Sequence, residues 1–113
     1  MLGFVTGDYV LVGREPDDGV AYSGSAHIER RGNGLLMKRW RGGREITAEG
    51  RLEVPSPPGE AQVLRFRWTD PKAMLMTCLI DGDLDNYPRL TCLWARDDIK
   101  PATPGLEALF PKK

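Results

Sequence analysis

The sequence contains few residues that could build a metal centre or a catalytic cysteine site. Its 113 residues include one histidine and two cysteines. These are too few for a zinc ribbon, and a single histidine leaves a structural metal site short of ligands. No general base for a cysteine nucleophile is evident, and no set of nucleophile, base and orienting residue can be assembled. We therefore expect no metal, no cofactor and no enzymatic activity.

The sequence also lacks a net charge and a long apolar run. Sixteen basic and sixteen acidic residues cancel, so the overall charge points neither to nucleic acid nor to a membrane surface. No stretch approaches the eighteen apolar residues of a membrane span. The N-terminal MLGFVTGDYV has no basic segment followed by a long apolar one, so it does not resemble a signal peptide, which favours the cytoplasm unless a signal has been removed. The length is typical of one domain, here residues 1–113.

The sequence is instead rich in alternating apolar and polar side chains and in turn-forming segments. Residues 20–29 and 44–54 alternate between apolar and polar side chains, a pattern typical of half-buried strands. The segments PDDG, GNG and GG are tight-turn signals, because glycine, asparagine and aspartate accept positive φ. The longer segments PSPPGE and TDPK are predicted turns as well. The predicted strands lie near 4–13, 20–30, 35–41, 44–54, 62–68, 73–80, 89–96 and 105–110.

Consecutive antiparallel strands of this number form a meander that must hide its edges. The sequence therefore predicts an all-β fold, an up-and-down barrel of about eight strands, with a two-sheet sandwich as the alternative. An eight-stranded barrel is just wide enough to be filled by side chains or to hold one small ligand.

The alternation also predicts which side chains face the interior. Gly24 and Gly50 are expected to make room for the rings of the three tryptophans. The predicted inward residues are Tyr9 and Leu11; Tyr22, Gly24, Ala26 and Ile28; Leu36, Lys38 and Trp40; Ile46, Ala48, Gly50 and Leu52; Leu64, Phe66 and Trp68; Met74, Met76, Cys78 and Ile80; and Leu90, Cys92 and Trp94.

The inward aromatic rings either fill the barrel or line a pocket that opens at one mouth. An inward Lys38 would favour an anionic ligand, because a buried ammonium needs a partner. The alternative is a bulge or slip that turns Lys38 outward and Met37 inward. The predicted ligand-binding residues are Tyr9, Tyr22, Lys38, Trp40, Phe66, Trp68 and Trp94.

Several segments resemble a known protein pattern. They are GDYVLVGREPDDGVAYSGSAHI, Trp40, the DG at 81–82, LTCLWA at 90–95 and GLEAL at 105–109. Together they resemble an uncharacterised family of small bacterial single-domain β-barrels, lipocalin- or avidin-like in shape. The resemblance implies the fold over Gly7 to Pro111 and brings no catalytic residues. The chain departs from the pattern at Ala48, at Cys92 and in the extended loop DGDLDNYPR.

The two cysteines are predicted to lie on the same side of two adjacent strands. Cys78 and Cys92 lie directly opposite each other if their hairpin is symmetric about Asp85. They form either a cross-strand disulfide, in an oxidising compartment, or two buried thiols. The single histidine, His27, has outward parity and is expected to be a solvated surface residue.

Residues 81–92, DGDLDNYPRLTC, begin like a calcium loop. Asp81, Asp83 and Asp85 occupy its first, third and fifth positions, but Asn86 replaces the required glycine and Cys92 replaces the terminal glutamate. No predicted helices flank the segment. We interpret it as an acidic, solvated hairpin loop.

A basic run surrounds Trp40. Such a run can bind phosphates and stack bases, or it can form a charged outer face balanced by glutamates on the next strand. We favour the second interpretation and do not expect nucleic acid as a partner. The basic residues are Arg30, Arg31, Lys38, Arg39, Arg41 and Arg44, and the glutamates are Glu45, Glu49 and Glu53.

These observations predict a non-enzymatic barrel that binds a small apolar or anionic ligand in its mouth. The first alternative is an interaction module that forms a homodimer through an outer apolar face. The second is a basic hairpin that binds an anionic partner. The predicted members of the apolar face are Leu35, Met37, Leu75 and Leu93.

Overall fold

The chain forms a closed, eight-stranded antiparallel barrel. The computed structural model describes residues 5–53, 63–69, 72–82, 88–97 and 103–112. Each strand pairs with the next along the chain, and β8 closes the barrel on β1. The predicted fold is therefore confirmed. The strands are β1 (Gly7–Arg14), β2 (Ala21–Arg31), β3 (Gly34–Arg41), β4 (Arg44–Glu53), β5 (Val63–Trp68), β6 (Met74–Gly82), β7 (Pro88–Arg96) and β8 (Gly105–Pro111).

Two tight turns fix the position of β3 between its neighbours. Arg31 pairs with Gly34, and Arg41 pairs with Arg44, so each turn contains two residues. The three glycines in these turns have φ values between 55° and 78°, the left-handed conformation that two-residue hairpins need. The two turns determine which residues of β3 lie opposite those of β2 and β4.

The resulting register turns Met37 and Arg39 into the barrel. Met37 lies opposite Ile28, and Arg39 lies opposite Ala26. Residues paired across an antiparallel ladder share one side of the sheet. Because Ile28 and Ala26 are buried in the core, their partners on β3 face inward too.

The prediction for β3 was therefore wrong by one residue. Leu36, Lys38 and Trp40 do not face the interior, whereas the alternative that placed Met37 inside and Lys38 outside is correct. The same shift removes Leu35 and Met37 from the predicted outer apolar face, because both are buried. A slip of one residue exchanges the two faces of a strand, since the side-chain period is two.

On the six other strands for which inward side chains were predicted, those side chains are buried or pack against the core. At one end of the barrel the core includes the N-terminal residues of the described chain. Val5 and Tyr9 lie there, and the Tyr9 hydroxyl donates a hydrogen bond to the Val5 carbonyl oxygen at 2.7 Å. Burial raises the pKa of Tyr9 to about 12. No helix in the described ranges is long and apolar enough to cross a membrane.

Three aromatic rings lie over glycines on the neighbouring strand. The pairs are Gly13 with Tyr22, Gly50 with Phe66, and Gly105 with Trp94. A Cβ added to Gly50 would lie 2.5 Å from the Phe66 ring, and one added to Gly105 would lie 2.5 Å from the Trp94 indole nitrogen. The absence of a side chain at these positions lets large rings lie flat against the barrel wall.

The two glycines expected to make room for tryptophans do not do so. Gly50 accommodates Phe66, and Gly24 lies against the backbone carbonyl of Trp40. The expectation that these glycines accommodate large rings is thus right for Gly50, but with a different ring, and wrong for Gly24.

The two cysteines form a disulfide inside the barrel. Cys78 and Cys92 lie directly opposite each other on β6 and β7, with Cα atoms 4.0 Å apart. Both are buried. Of the two alternatives left open by the sequence, the structure therefore has the disulfide.

Gly50→Ala should destabilise the barrel by about 1–3 kcal/mol, because the fully buried Phe66 ring has no room to move away from a methyl group. Urea unfolding of the single variants and of Gly50→Ala/Phe66→Leu measures the coupling. The smaller leucine side chain at residue 66 should recover part of the loss. Strictly additive effects would show that Phe66 is not what excludes a side chain at residue 50.

Candidate functional site: an open mouth above a buried ion pair

The end of the barrel opposite Val5 carries a cavity. The mouth lies where β1, β3, β5 and β7 end and β2, β4, β6 and β8 begin, and the cavity volume is about 400 Å³. Its basic side chains outnumber its acidic ones by five to two. The lining residues are Glu15, Pro16, Asp17, Arg39, Arg41, Arg44, Ile46, Trp68, Lys72, Met74, Trp94 and Arg96.

A buried ion pair lies at the base of this mouth. Arg39 on β3 and Glu107 on β8 are joined by two hydrogen bonds, Nη1 to Oε2 at 2.5 Å and Nη2 to Oε1 at 2.6 Å. Both side chains are at most 2% exposed. The parallel two-bond geometry is the strongest that an arginine and a carboxylate can form. The pair connects opposite sides of the barrel, because β3 and β8 are not neighbours.

Tyr22 adds a third hydrogen bond to this ion pair. Its hydroxyl donates a hydrogen bond to Glu107 Oε1 at 2.7 Å. Burial, and then the nearby Glu107 carboxylate, raise the pKa of Tyr22 above its usual value. Burial opposes the charge of Arg39, but the hydrogen bonds and charge of Glu107 outweigh it and raise the pKa of Arg39. Tyr22 is therefore a neutral donor and Arg39 a permanent cation.

Aromatic rings form the wall above the pair. The Arg39 guanidinium carbon lies 5.1 Å from the centre of the Trp68 ring, within the range of cation–π attraction. Trp68 and Trp94 have ring centres 6.1 Å apart, and Trp94 meets Tyr22 edge to face at 6.0 Å. The wall therefore presents π-faces beside a positive charge.

Arg41 contacts two adjacent spaces in the mouth. Its guanidinium carbon lies 3.6 Å from the centre of the Tyr22 ring, and its Nη2 is 2.5 Å from Glu15 Oε1. Arg41 lines both the cavity described above and a second hollow of about 430 Å³ that also contacts Tyr22 and Ser23. Glu15, Arg39, Arg44 and Ile46 line both spaces as well, so the two are adjacent parts of one mouth.

Two basic residues at the rim differ from Arg39 and Arg41. Arg44 and Lys72 are exposed, and neither forms an ion pair with a carboxylate in the part of the chain that the structure describes. The excess positive charge of the mouth therefore lies at its rim, because the charges deeper inside are neutralised by Glu107 and Glu15.

Two buried donors near the mouth have no acceptor among the described residues. They are the Arg39 Nε–H and the Trp94 indole N–H. An unpaired buried donor costs about 1–3 kcal/mol, so few native structures contain many of them.

Three of the seven predicted ligand-binding residues surround the mouth: Tyr22, Trp68 and Trp94. Tyr22 contacts the second hollow, and the two tryptophans line the first. Tyr9 and Phe66 are fully buried in the core, where they line neither space.

The other two predicted site residues lie on the outer surface. Lys38 is paired with His27 and Thr47 on the outward parity of the sheet. Trp40 donates a hydrogen bond from its indole nitrogen to Glu45 Oε1 at 2.9 Å. The interior of the barrel does contain a basic side chain, but it is that of the next residue, Arg39, and not that of Lys38.

Glu107 and the inward orientation of Arg39 were not predicted from the sequence. The signal for Arg39 was the two-residue turn at GN, which forces Arg39 opposite Ala26. Glu107 lies between Gly105 and Leu109 at the inward parity of a predicted strand. An acidic and a basic residue at inward positions of one barrel could have been matched as a pair.

The remaining sequence predictions lie outside this mouth. His27 is on the outer surface, with Nδ1 2.8 Å from Asp8 Oδ1. In the basic run, Arg39 turns inward and Arg41 pairs with Glu15, so the run does not form one charged face. The calcium-like positions 83, 85 and 86 and the side chain of Asp81 lie outside the described residues.

The chain is a small antiparallel β-barrel. It is similar to a solved structure described as a redesigned β-barrel, b11L5F_LGL, with a TM-score of 0.60. The two sequences are 16% identical, and the match covers 97% of this chain and 93% of the other. At this identity the likeness shows the fold alone. No family model and no curated protein matches the chain, so the resemblance to a bacterial lipocalin- or avidin-like family stays a prediction.

Glu107→Gln should destabilise the barrel by about 3–5 kcal/mol, because it leaves the buried Arg39 without a compensating charge. The double variant Arg39→Met/Glu107→Gln removes that charge and keeps an amide oxygen to accept the Tyr22 hydrogen bond. Denaturant unfolding should find the double variant more stable than Glu107→Gln alone. If the double variant were instead less stable than Glu107→Gln, the buried charge of Arg39 would not need Glu107 to compensate it.

Tyr22→Phe should flatten the loss of stability in alkali. The raised pKa of Tyr22 means that its contribution is complete below pH 10 and is lost as the pH rises above that value, where the unfolded chain ionises first. Tyr9 is present in both proteins, so the difference between their unfolding free energies isolates Tyr22. Above pH 10, the slopes of the unfolding free energy against pH should differ between the two proteins by the equivalent of up to about one bound proton. Identical slopes would place the Tyr22 hydroxyl in water.

Proposed function

We propose that this barrel is a non-enzymatic binding protein for a small, largely aromatic anion, which enters the open mouth. The observation that carries the proposal is a cavity of about 400 Å³ that combines two indole rings with an excess of basic side chains. Small-molecule sites have this size and this combination of apolar walls with a few polar groups.

The charges suggest how such a ligand is oriented. Arg39 is neutralised by Glu107, and Arg41 is paired with Glu15, so the deeper part of the mouth has little attraction left for an anion. Arg44 and Lys72 at the rim carry charge without an ion-pair partner among the described residues. The ring of the ligand then packs against Trp68 and Trp94, and its anionic group stays at the rim.

The buried groups favour binding over catalysis. The Glu107 carboxylate accepts three hydrogen bonds, two from Arg39 and one from Tyr22. The raised pKa of Tyr22 keeps its phenol protonated near neutral pH. The Glu107 carboxylate and the Tyr22 phenol thus belong to one hydrogen-bonded group, whose role is to hold the wall in place.

A pair of fluorescent probes tests the proposal: 8-anilinonaphthalene-1-sulfonate and N-phenyl-1-naphthylamine, which has the same rings without the sulfonate. The sulfonate probe should bind more tightly, by up to about thirtyfold if both Arg44 and Lys72 contact it, since each charge contact at a rim contributes up to about 1 kcal/mol. Its affinity should fall with added salt. Equal affinity for the two probes would remove the anionic part of the proposal.

Two variants of the mouth and one control variant locate the binding site. Arg44→Gln/Lys72→Gln should remove most of the preference for the sulfonate, while Arg30→Gln/Arg51→Gln, at the other end of the barrel, removes the same charge and should change nothing. Ile46→Glu, which narrows the cavity and adds a carboxylate, should abolish binding of the sulfonate probe. If Ile46→Glu binds this probe like the unchanged protein, the mouth is not the site.

A further inference from the structure

One side of the outer surface of the barrel is largely apolar. Six of the large apolar side chains that remain exposed lie on the four consecutive strands β6, β7, β8 and β1. We call these six side chains the apolar face. Its members are Val10, Val12, Leu79, Leu93, Leu106 and Phe110.

The apolar face is continuous around β8. Val10 lies directly opposite Phe110, and Leu93 lies directly opposite Leu106. Between these pairs, the small Ala108 marks a shallow depression of about 540 Å³. Its lining includes Val12 and Leu106, with Arg14 at the edge. The centre of the face is therefore a concave spot surrounded by large side chains.

The opposite side of the barrel is built differently. On β4 and β5 the outer positions carry Glu49 opposite Arg67 and Arg51 opposite Arg65, and Glu53 bonds to both Arg65 and Arg67. Charged side chains keep a sheet surface in water and discourage association. The outer surface is thus charged on β4 and β5 and largely apolar around β8.

We propose that the apolar face is covered by a second copy of this chain. The charged neighbours of the apolar face, Arg14 opposite Leu106 and Arg89 on β7, lie at its edge. Its centre therefore has no charge with which to select a charged partner, whereas an identical apolar surface is complementary to it. The six side chains, each 37–54% exposed, present on the order of 500 Å² of apolar surface, near the upper limit for monomers. Together with Thr77 and Thr91 beside them, this supplies a large part of the roughly 800 Å² that each partner of a stable dimer buries.

The proposal specifies the symmetry of the dimer. A self-complementary face is used twice about a two-fold axis. Since β8 runs through the middle of the apolar face, the axis passes close to Ala108, and Leu106 or Phe110 of one copy fills the depression of the other. The mouth lies at the end of the barrel, so this proposal does not rest on the proposed function.

Light scattering after size exclusion tests the association. The unchanged protein should be a dimer at micromolar concentration. Leu106→Glu should raise the dissociation constant by at least about tenfold, because it buries a carboxylate in an apolar contact. Thr47→Glu, which adds the same charge at an exposed position of β4, should leave the dimer intact. A monomer at millimolar concentration would overturn the proposal.

A cysteine at the axis tests the symmetry. The two native cysteines are joined in a disulfide, so Ala108→Cys introduces a single free thiol. Mild oxidation should join two copies through residue 108 within minutes, while Thr47→Cys treated in the same way should stay unlinked. A dimer that resists Leu106→Glu, or that links through residue 47 and not 108, would show that another surface pairs.

Discussion

The ion pair between Arg39 and Glu107 is the constraint on which the open end of the barrel depends. Removing two charges from water costs several kcal/mol for each ion, and only good geometry offsets that cost. Here the geometry consists of two hydrogen bonds between the side chains and a third from Tyr22. An apolar pair of similar volume would often give equal stability. The charges are thus better explained by what they do for the mouth than by what they add to the fold.

The pair fixes the aromatic wall. Arg39 holds its guanidinium against Trp68, and the hydrogen bond to Glu107 holds Tyr22 against Trp94. Loss of the pair would remove both the contact of Arg39 with Trp68 and the hydrogen bond that holds Tyr22 beside Trp94. The difference between the ends follows from this: apolar side chains pack until no space is left, whereas a hydrogen-bonded network keeps the spacing that its bonds require.

Most of the fold follows from local sequence signals. Turn residues and alternation were enough for the number and order of the strands, and for the inward side chains on every tested strand except β3. That strand, LLMKRWR, has apolar residues at both parities, so its own pattern does not say which side faces in. The information was in the flanking two-residue turns, which tie the parity of β3 to that of β2 and β4.

The site could be predicted only in part, because it depends on contacts between distant strands. Trp68 and Trp94 follow from inward parity alone. The partnership of Arg39 with Glu107 joins residues 68 positions apart and requires both the correct register of β3 and the closure of β8 onto β1. Likewise, no local pattern says that Gly105 lets the Trp94 ring lie flat, since that contact exists only after β7 and β8 have paired.

The disulfide stabilises the same part of the molecule. Cys92 lies directly opposite Glu107 on β8, and Cys78 lies opposite Cys92 on β6. Met76, two residues before Cys78, contacts Arg39 through its sulfur at 3.9 Å. A cross-link over 14 residues reduces the freedom of the unfolded chain by about 3 kcal/mol in the chain-entropy description. Because the link holds β6 and β7 in register beside the ion pair, it offsets part of the cost of burying two charges where the barrel is least filled.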